Sequence, residues 1–345
     1  MAGFGYGVYR YLGHLKNATL TTKASAPHRT QQFVLPGTLV IAQGGSLYRL
    51  QGGVFTQIAS GGWMQPAVTP DHQHLVAVKR AGNVSDLFEL DLNGQVQRQV
   101  TRDSSRAVAS NHWAFYPSIS ADGLTLYYSW DQKDLGNTFT VDLRVYAMPL
   151  AGAQRQARDW TLPNLGTGGD IDPDPLAGGG IVYTKYNINP QGQTVAQIWT
   201  TTRALALGRP LTAPADDCSQ AAISPDGTRL AMICSSGTQV ARLEVAPFNG
   251  TALGPAEVIA QGTIAVPTWS ADGNGLVYLE GVQPTGHFQL FYVNMAPPPT
   301  PAPTPTPKPG ASPGPPTPTP APTPPLSKQL TVDNDFDATS APVWF

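Results

Sequence analysis

The chain has 345 residues, of which 35 are Gly and 34 Pro, and only 13% are charged. Gly and Pro at that density destabilise helix interiors throughout, which excludes a helical bundle or a coiled coil. With 21 Lys+Arg against 23 Asp+Glu the net charge is −2. No basic excess exists to neutralise a phosphate backbone, so no nucleic-acid partner is expected.

Residues 1–37 read as a flexible N-terminal segment. Met1 to Leu15 is aromatic and Gly-rich and lacks the basic start and long apolar core of a signal peptide. Two readings stand for it: a loose terminus, or the remnant of a membrane anchor that would tether the chain. No stretch reaches the roughly 18 apolar residues that span a bilayer. Three short strands follow, at Thr38–Ala42, Ser46–Leu50 and Val54–Ala59.

From residue 66 the chain repeats. Pro66 to Asp71, Pro117 to Gly123, Ala221 to Gly227 and Pro267 to Gly273 share an opening of Pro or Ala, then x-apolar-Ser/Thr-x-Asp, closed in three of them by Gly. A degenerate copy begins at Pro173, and the chain ends inside another at Pro342–Phe345. The starts at 66, 117, 173, 221, 267 and 342 are 51, 56, 48, 46 and 75 residues apart. The last interval contains residues 297–325, a run with 16 Pro and 6 Thr that reads as disordered polyproline II. Without those 29 residues the interval is 46, in line with the others.

Each repeat predicts four strands. Ser-Pro-Asp-Gly is a tight turn between strands A and B, because Pro presets φ and Gly supplies a positive one. Strand C alternates apolar and polar residues, as in Asp86–Leu90, and strand D closes near Leu-Thr, as at Leu211–Thr212 and Leu330–Thr331. Four-stranded units at this period predict an all-β fold, a six-bladed β-propeller over residues 38–345. The three N-terminal strands would serve as B–D of the last blade, and Pro342–Phe345 as its strand A. The Pro/Thr-rich run 297–325 becomes an insertion between strands C and D of the fifth blade.

These repeats resemble the WD40-like, TolB-type β-propeller repeats of bacterial proteins, whose pattern is Pro-x-Trp-Ser-Pro-Asp-Gly, then strands and a Leu-Thr close. The resemblance covers residues 38–345 outside the insertion. The third copy departs from the pattern, and residues 1–37 do not read as the α/β domain that TolB carries. The resemblance implies a non-enzymatic, extracytoplasmic scaffold, a monomer, binding a protein or glycan of the cell envelope, with no cofactor. Two alternatives remain: a metal-assisted propeller lyase or hydrolase, and the sensor domain of a truncated membrane receptor.

Chemistry-bearing clusters are sparse. The closest histidines, His72 and His74, sit in an A–B turn with no third ligand evident, and no His falls on a predicted strand A. Asp170, Asp172 and Asp174, around the repeat start at Pro173, and Asp333, Asp335 and Asp337, before the one at Pro342, read as loop-structuring residues or weak cation sites. Trp269 and Trp344 read as packing between blades. Cys218 and Cys234 flank the hairpin that turns at Pro225–Gly227. Their numbers sum to 452, near the pair sum of that hairpin, so they are expected to face each other as a disulfide; two buried thiols are the other reading.

The D–A and B–C loops of a propeller share one face. Three long ones, Arg102–Tyr116, Ser129–Thr140 and Lys185–Ala196, cluster around the second and third blades. They carry His112, Trp113, Phe115, Tyr116, Trp130, Asp131, Lys133, Asp134, Lys185 and Tyr186. Aromatics mixed with charges on a rigid scaffold suit a recognition patch for a protein or glycan; the other reading is that these aromatics roof the blades and bury one another. Removing Trp113 and Trp130 is expected to abolish binding with little change in Tm.

Overall fold

The computed structural model describes residues 34–133, 141–236, 240–296 and 326–345. In chain order, β1 (Thr38–Gln43), β2 (Ser46–Gln51) and β3 (Val54–Ser60) come first. Blade 1 is β4 (Trp63–Val68), β5 (His74–Ala81), β6 (Val84–Asp91) and β7 (Val96–Gln99). Blade 2 is β8 (Ala114–Ile119), β9 (Thr125–Asp131), β10 (Leu143–Pro149) and β11 (Arg158–Asp159). Blade 3 is β12 (Asp170–Pro175), β13 (Ile181–Ile188), β14 (Thr194–Thr201) and β15 (Arg209–Pro210). Blade 4 is β16 (Cys218–Ile223), β17 (Arg229–Cys234), β18 (Ala241–Pro247) and β19 (Glu257–Gly262). Blade 5 is β20 (Ile264–Trp269), β21 (Gly275–Val282), β22 (His287–Asn294) and β23 (Ser327–Gln329). In blade 6, β24 (Val343–Trp344) pairs with β1, in the order β24-β1-β2-β3.

All pairings within the six sheets are antiparallel. The first strands of successive blades touch in a complete circuit, β4 to β8, β12, β16, β20, β24 and back to β4. They therefore surround a central axis, and the molecule is a six-bladed β-propeller. Thr38 and Phe345 exchange backbone hydrogen bonds of 2.6 and 2.9 Å where the chain end meets β1. Gly37 makes that approach possible: at φ +73° a Cβ would lie 2.5 Å from the Phe345 carbonyl oxygen.

The core is divided in the same way. Buried apolar side chains form six clusters, one between each pair of neighbouring blades. Successive side chains on a strand point to opposite faces, so a central strand feeds two clusters. In β17, Leu230, Met232 and Cys234 pack toward blade 3, whereas Ala231 and Ile233 pack toward blade 5. That double burial is why the inner strands read as continuous apolar runs. Trp269 and Trp344 are both buried between blades.

The repeated turn has one chemistry. The hydroxyls of Thr69, Ser120, Ser224 and Ser270 donate to Asp71, Asp122, Asp226 and Asp272 at 2.5–2.6 Å. Each hydroxyl also accepts the backbone N–H that opens strand B, at 2.7–3.0 Å. The hydroxyl donor and the next backbone N–H hold these carboxyls below the usual range, Asp226 at about 2. The degenerate third copy turns instead through Leu176–Gly180, where glycines replace the side-chain clasp.

The Leu-Thr close also has a physical basis. Val100, Trp160, Leu211 and Leu330 donate the last backbone hydrogen bonds from strand D to strand C. The next residue, Thr101, Thr161, Thr212 or Thr331, then accepts a strand C N–H with its Oγ1, at 2.9–3.2 Å. A side chain thus satisfies the donor left where strand D leaves the sheet.

Cys218 and Cys234 form a disulfide, with an S–S distance of 2.08 Å. Next to the turn the hairpin pairs Ile223 with Leu230 and Ala222 with Ala231, a sum of 453. A bulge at Gln220–Ala221 shifts the register, and beyond it Ser219 faces Ile233 and Cys218 faces Cys234, a sum of 452. Without that extra residue the two sulfurs would miss each other.

Residues 297–325 lie outside the described residues; the strands flanking them, β22 and β23, pair Phe291 with Gln329.

Candidate functional site

The bulge in β16 is one of five. Equivalent register shifts occur at Gln65–Pro66 in β4, Tyr116–Pro117 in β8, Asp172–Pro173 in β12 and Val266–Pro267 in β20. The first residue of each bulge, Gln65, Tyr116, Asp172, Gln220 or Val266, is left-handed, with φ between +47° and +56°. Two residues facing one partner bend the innermost strand, and this brings the bulge residue to the axis. Tyr116, Asp172, Gln220, Val266 and Ala341, the residue before Pro342, all line a channel cavity of about 60 Å³.

Two of these side chains tie adjacent blades. Gln65 Oε1 accepts the Tyr116 N–H at 2.8 Å, and in blade 4 Gln220 Oε1 accepts the Val266 N–H at 2.8 Å. Their own N–H groups donate to Ser340 Oγ at 2.6 Å and Thr184 Oγ1 at 3.3 Å. The channel wall is thereby stitched at backbone level, and the cavity is preorganised.

The channel's charge comes from blade 3. Asp172 and Asp174 are both pushed up to about 7, chiefly by burial, with Asp174 adding to the effect on Asp172. Asp174 Oδ2 accepts the Ile223 N–H at 2.6 Å. Asp172 accepts no hydrogen bond among the described residues. Tyr186, at the end of β13, also lines the cavity, and burial raises its hydroxyl to about 12. Nearby, Lys185 Nζ sits 3.1 Å from Asp170 Oδ1 and 2.6 Å from the Leu162 carbonyl oxygen, a buried ion pair within blade 3.

Several of the residues expected on loops are placed in strands, while His112 and Trp113 precede β8 and Lys133 follows β9. β8 already includes Phe115 and Tyr116, β9 runs through Trp130 and Asp131, and β13 through Lys185 and Tyr186. The sequence reading started strand A after the proline, but the bulge lets the strand begin before it. His112 stacks on Trp130 at 4.7 Å and contacts the Asp131 carbonyl through Nδ1 at 2.6 Å. Trp113 stacks on Phe115 at 5.7 Å, with the Arg80 guanidinium over the Trp113 ring at 5.5 Å. Trp130 donates Nε1–H to Asp103 at 3.0 Å and meets Tyr146 edge-on at 5.1 Å. Lys133 Nζ lies 3.3 Å from the buried Asp131 carboxylate. Asp134 lies outside the described residues.

Trp113 and Trp130 therefore pack against the cluster between blades 1 and 2. This revises the expectation that they can be removed without cost. Half-buried and hydrogen-bonded, Trp130 should lose about 1–2 kcal/mol on replacement by Ala, less than a fully buried Trp. Urea denaturation of Trp130→Ala checks this; an unchanged midpoint would show a side chain that supports nothing.

The bulge residues Gln65, Gln220 and Val266, and Ala341 at the matching position of blade 6, escaped the sequence reading, and Asp172 entered it only as part of an acidic run. One signal marks them all: each precedes the Pro or Ala that opens a repeat. Among the described residues, no three of His, Cys, Asp and Glu come together in a metal-binding group. No described helix is long and apolar enough to cross a membrane.

No family model matches the chain, and no curated protein matches it. Among solved structures it is similar to TolB from Acinetobacter baumannii, at 15% identity and a TM-score of 0.61 over 89% of this chain. It spans 65% of the length of that TolB. Hydrazine synthase of Kuenenia stuttgartiensis matches at 15% identity and a TM-score of 0.50, over 75% of this chain and 43% of that one. An oligogalacturonate lyase in complex with manganese matches at 16% identity and a TM-score of 0.47, over 72% of this chain and 68% of that one. At such identities the likeness carries the fold and not the activity. In its fold, this chain is a six-bladed β-propeller, similar to the propeller of TolB.

Proposed function

We propose that the chain is a non-enzymatic, monomeric binding scaffold that works outside the cytoplasm. It recognises a protein or glycan of the cell envelope through the face where the A strands start and the B strands end. The observation that carries this reading is the convergence on that one face of the channel mouth and the residues beside it. His112, Tyr116, Trp130, Lys133 and Tyr186 come from two adjacent blades. Leu165 and Ile188 are exposed at 71% and 45% on the same side, where Asn164 Nδ2 donates to the Tyr186 carbonyl. Aromatic and apolar groups on rigid strands suit recognition, since little entropy is lost when they dock. The disulfide favours an oxidising compartment. The end of β22 and the start of β23, between which the Pro/Thr-rich stretch is inserted, lie at the opposite face.

Photo-crosslinking in the native host tests the assignment. A photoreactive residue at Lys133 or Leu165 should yield specific adducts, and one at Leu124, exposed in an A–B turn of the other face, should yield none. Adducts from Leu124 alone would place the docking surface on the wrong side.

A further inference from the structure

Several buried carboxylates elsewhere among the described residues have partners, although Asp103, Asp131 and Asp170 each keep one oxygen without a hydrogen bond. Asp170 has Lys185, Asp131 has Lys133, and Asp86 accepts from Thr101 Oγ1 at 3.0 Å and from the Asp103 N–H at 2.7 Å. Asp172 has none among the described residues, although it is half-buried and lines the channel cavity. Its neighbour Asp174 is engaged with the Ile223 N–H. The Gln220 amide oxygen is engaged with Val266. A charge withdrawn from water without a partner is costly, so a space beside it is suited to a counter-charge from outside.

The cavity's shape narrows the choice. Tyr116 and Tyr186 line the cavity with Asp172, whose charge acts on the Tyr186 hydroxyl, and Val266 and the small Ala341 of blade 6 complete the apolar part of its wall. About 60 Å³ holds one small group and not a loop. A hard divalent cation such as calcium needs about 6–8 oxygen ligands, which one free carboxylate with a pair of phenols does not supply. An ammonium group needs a carboxylate and favours aromatic walls, which attract cations through their ring faces.

We propose that the channel mouth binds a single primary ammonium group, ion-paired to Asp172 between Tyr116 and Tyr186 and backed by Ala341. The bearer is either a lysine side chain of a docked partner or a small free amine. This deepens the docking reading, since the cavity opens on the same face, but a free amine tests it without any partner. The groups facing Asp172 are Asp174 on its own strand, Tyr186 from β13 and Tyr116 from β8; Gln220, Val266 and Ala341 are uncharged. Because Asp172 must be ionised, the amine should bind more weakly as pH falls from 8 to 6.

Calorimetric titration with n-butylammonium chloride against matched sodium chloride is the direct experiment, run in parallel with Nα-acetyl-lysine-methylamide. The wild-type protein should bind, and Asp172→Asn should weaken binding about tenfold or more, as loss of a charge-assisted contact does. Ala341→Leu keeps the carboxylate but fills the space, and should abolish binding. Tighter binding of the lysine derivative assigns the bearer to a partner side chain, and tighter binding of the free amine assigns it to a small molecule; both support the site. Undiminished binding in Asp172→Asn, or calcium binding that displaces the amine, overturns it. Loss of amine binding alone would leave the crosslinking result, and the docking proposal, standing.

Discussion

Removing the Cys218–Cys234 bridge should lower the stability of the propeller by about 3 kcal/mol, the chain-entropy value for a closed loop of this length. The bridge joins the first two strands of blade 4, with Cα atoms 4.0 Å apart and a sequence separation of 16. Both cysteines are fully buried in the cluster between blades 3 and 4, beside Val182, Ile198 and Met232. Cys218→Ala/Cys234→Ala therefore also forfeits packing at an interface that has to hold for the ring to stay closed. Denaturation of the variant and wild type should show the loss, seen as a Tm several degrees lower. Unreduced protein, unfolded and treated with an alkylating agent, should show no reactive thiol; two would mean the bridge is absent. A reductant should act slowly on the native protein, because it reaches the sulfurs only through local opening.

The second large effect is a pH dependence set by the channel carboxyls. Asp172 and Asp174 rise to about 7 in the folded protein and ionise near 4 when unfolded. The folded state then binds more protons than the unfolded state between about pH 4 and 7, so stability falls as pH rises through that window. Their stabilising contribution is complete below pH 4 and lost above about pH 7. Asp172→Asn/Asp174→Asn removes the charges and should be more stable than wild type by about 2–3 kcal/mol at pH 8. That figure is reduced from the full linkage value because the channel admits water. The difference should shrink as pH falls and vanish near pH 4; a stability gap that stays constant from pH 8 down to pH 5 would refute the assignment. The turn aspartates Asp71, Asp122, Asp226 and Asp272 act in the opposite direction, but only below about pH 4, and do not confuse the comparison. If Asp172→Asn gains stability and loses amine binding, that pairing would mark a residue kept for function at the expense of stability.

The elements whose chemistry is local were legible before any coordinates. Ser-x-Asp-Gly is a hydroxyl and a carboxylate clasping a turn from within five residues, so its signature survives in the chain as a motif. The Thr that caps each strand D does the same for the Leu-Thr close. Their spacing alone yields the blades, and the repeat start at Pro342 anticipates a strand in the last four residues. The disulfide was legible for a less local reason: the pair sum of 452 holds only because a bulge at Gln220–Ala221 removes one residue from the register.

The channel was not legible, and the reason is geometric. Asp170, Asp172 and Asp174 look equivalent in sequence. Yet Asp170 meets Lys185 across the β12–β13 ladder, Asp174 meets the Ile223 N–H of the next blade, and Asp172 alone turns into the cavity. Which carboxylate finds a partner depends on the neighbouring blade and on a left-handed residue at a bulge. The same holds for Trp130, whose role as packing was decided by His112, Tyr146 and Asp103. The sequence by itself determined the number of blades and most of their turns, because those depend on residues close together or on a repeating register; it brought the two cysteines near each other, and the bulge in β16 completed their pairing. Only the tertiary structure decided what lines the axis, since closing a ring brings together residues from every blade that no single repeat contains.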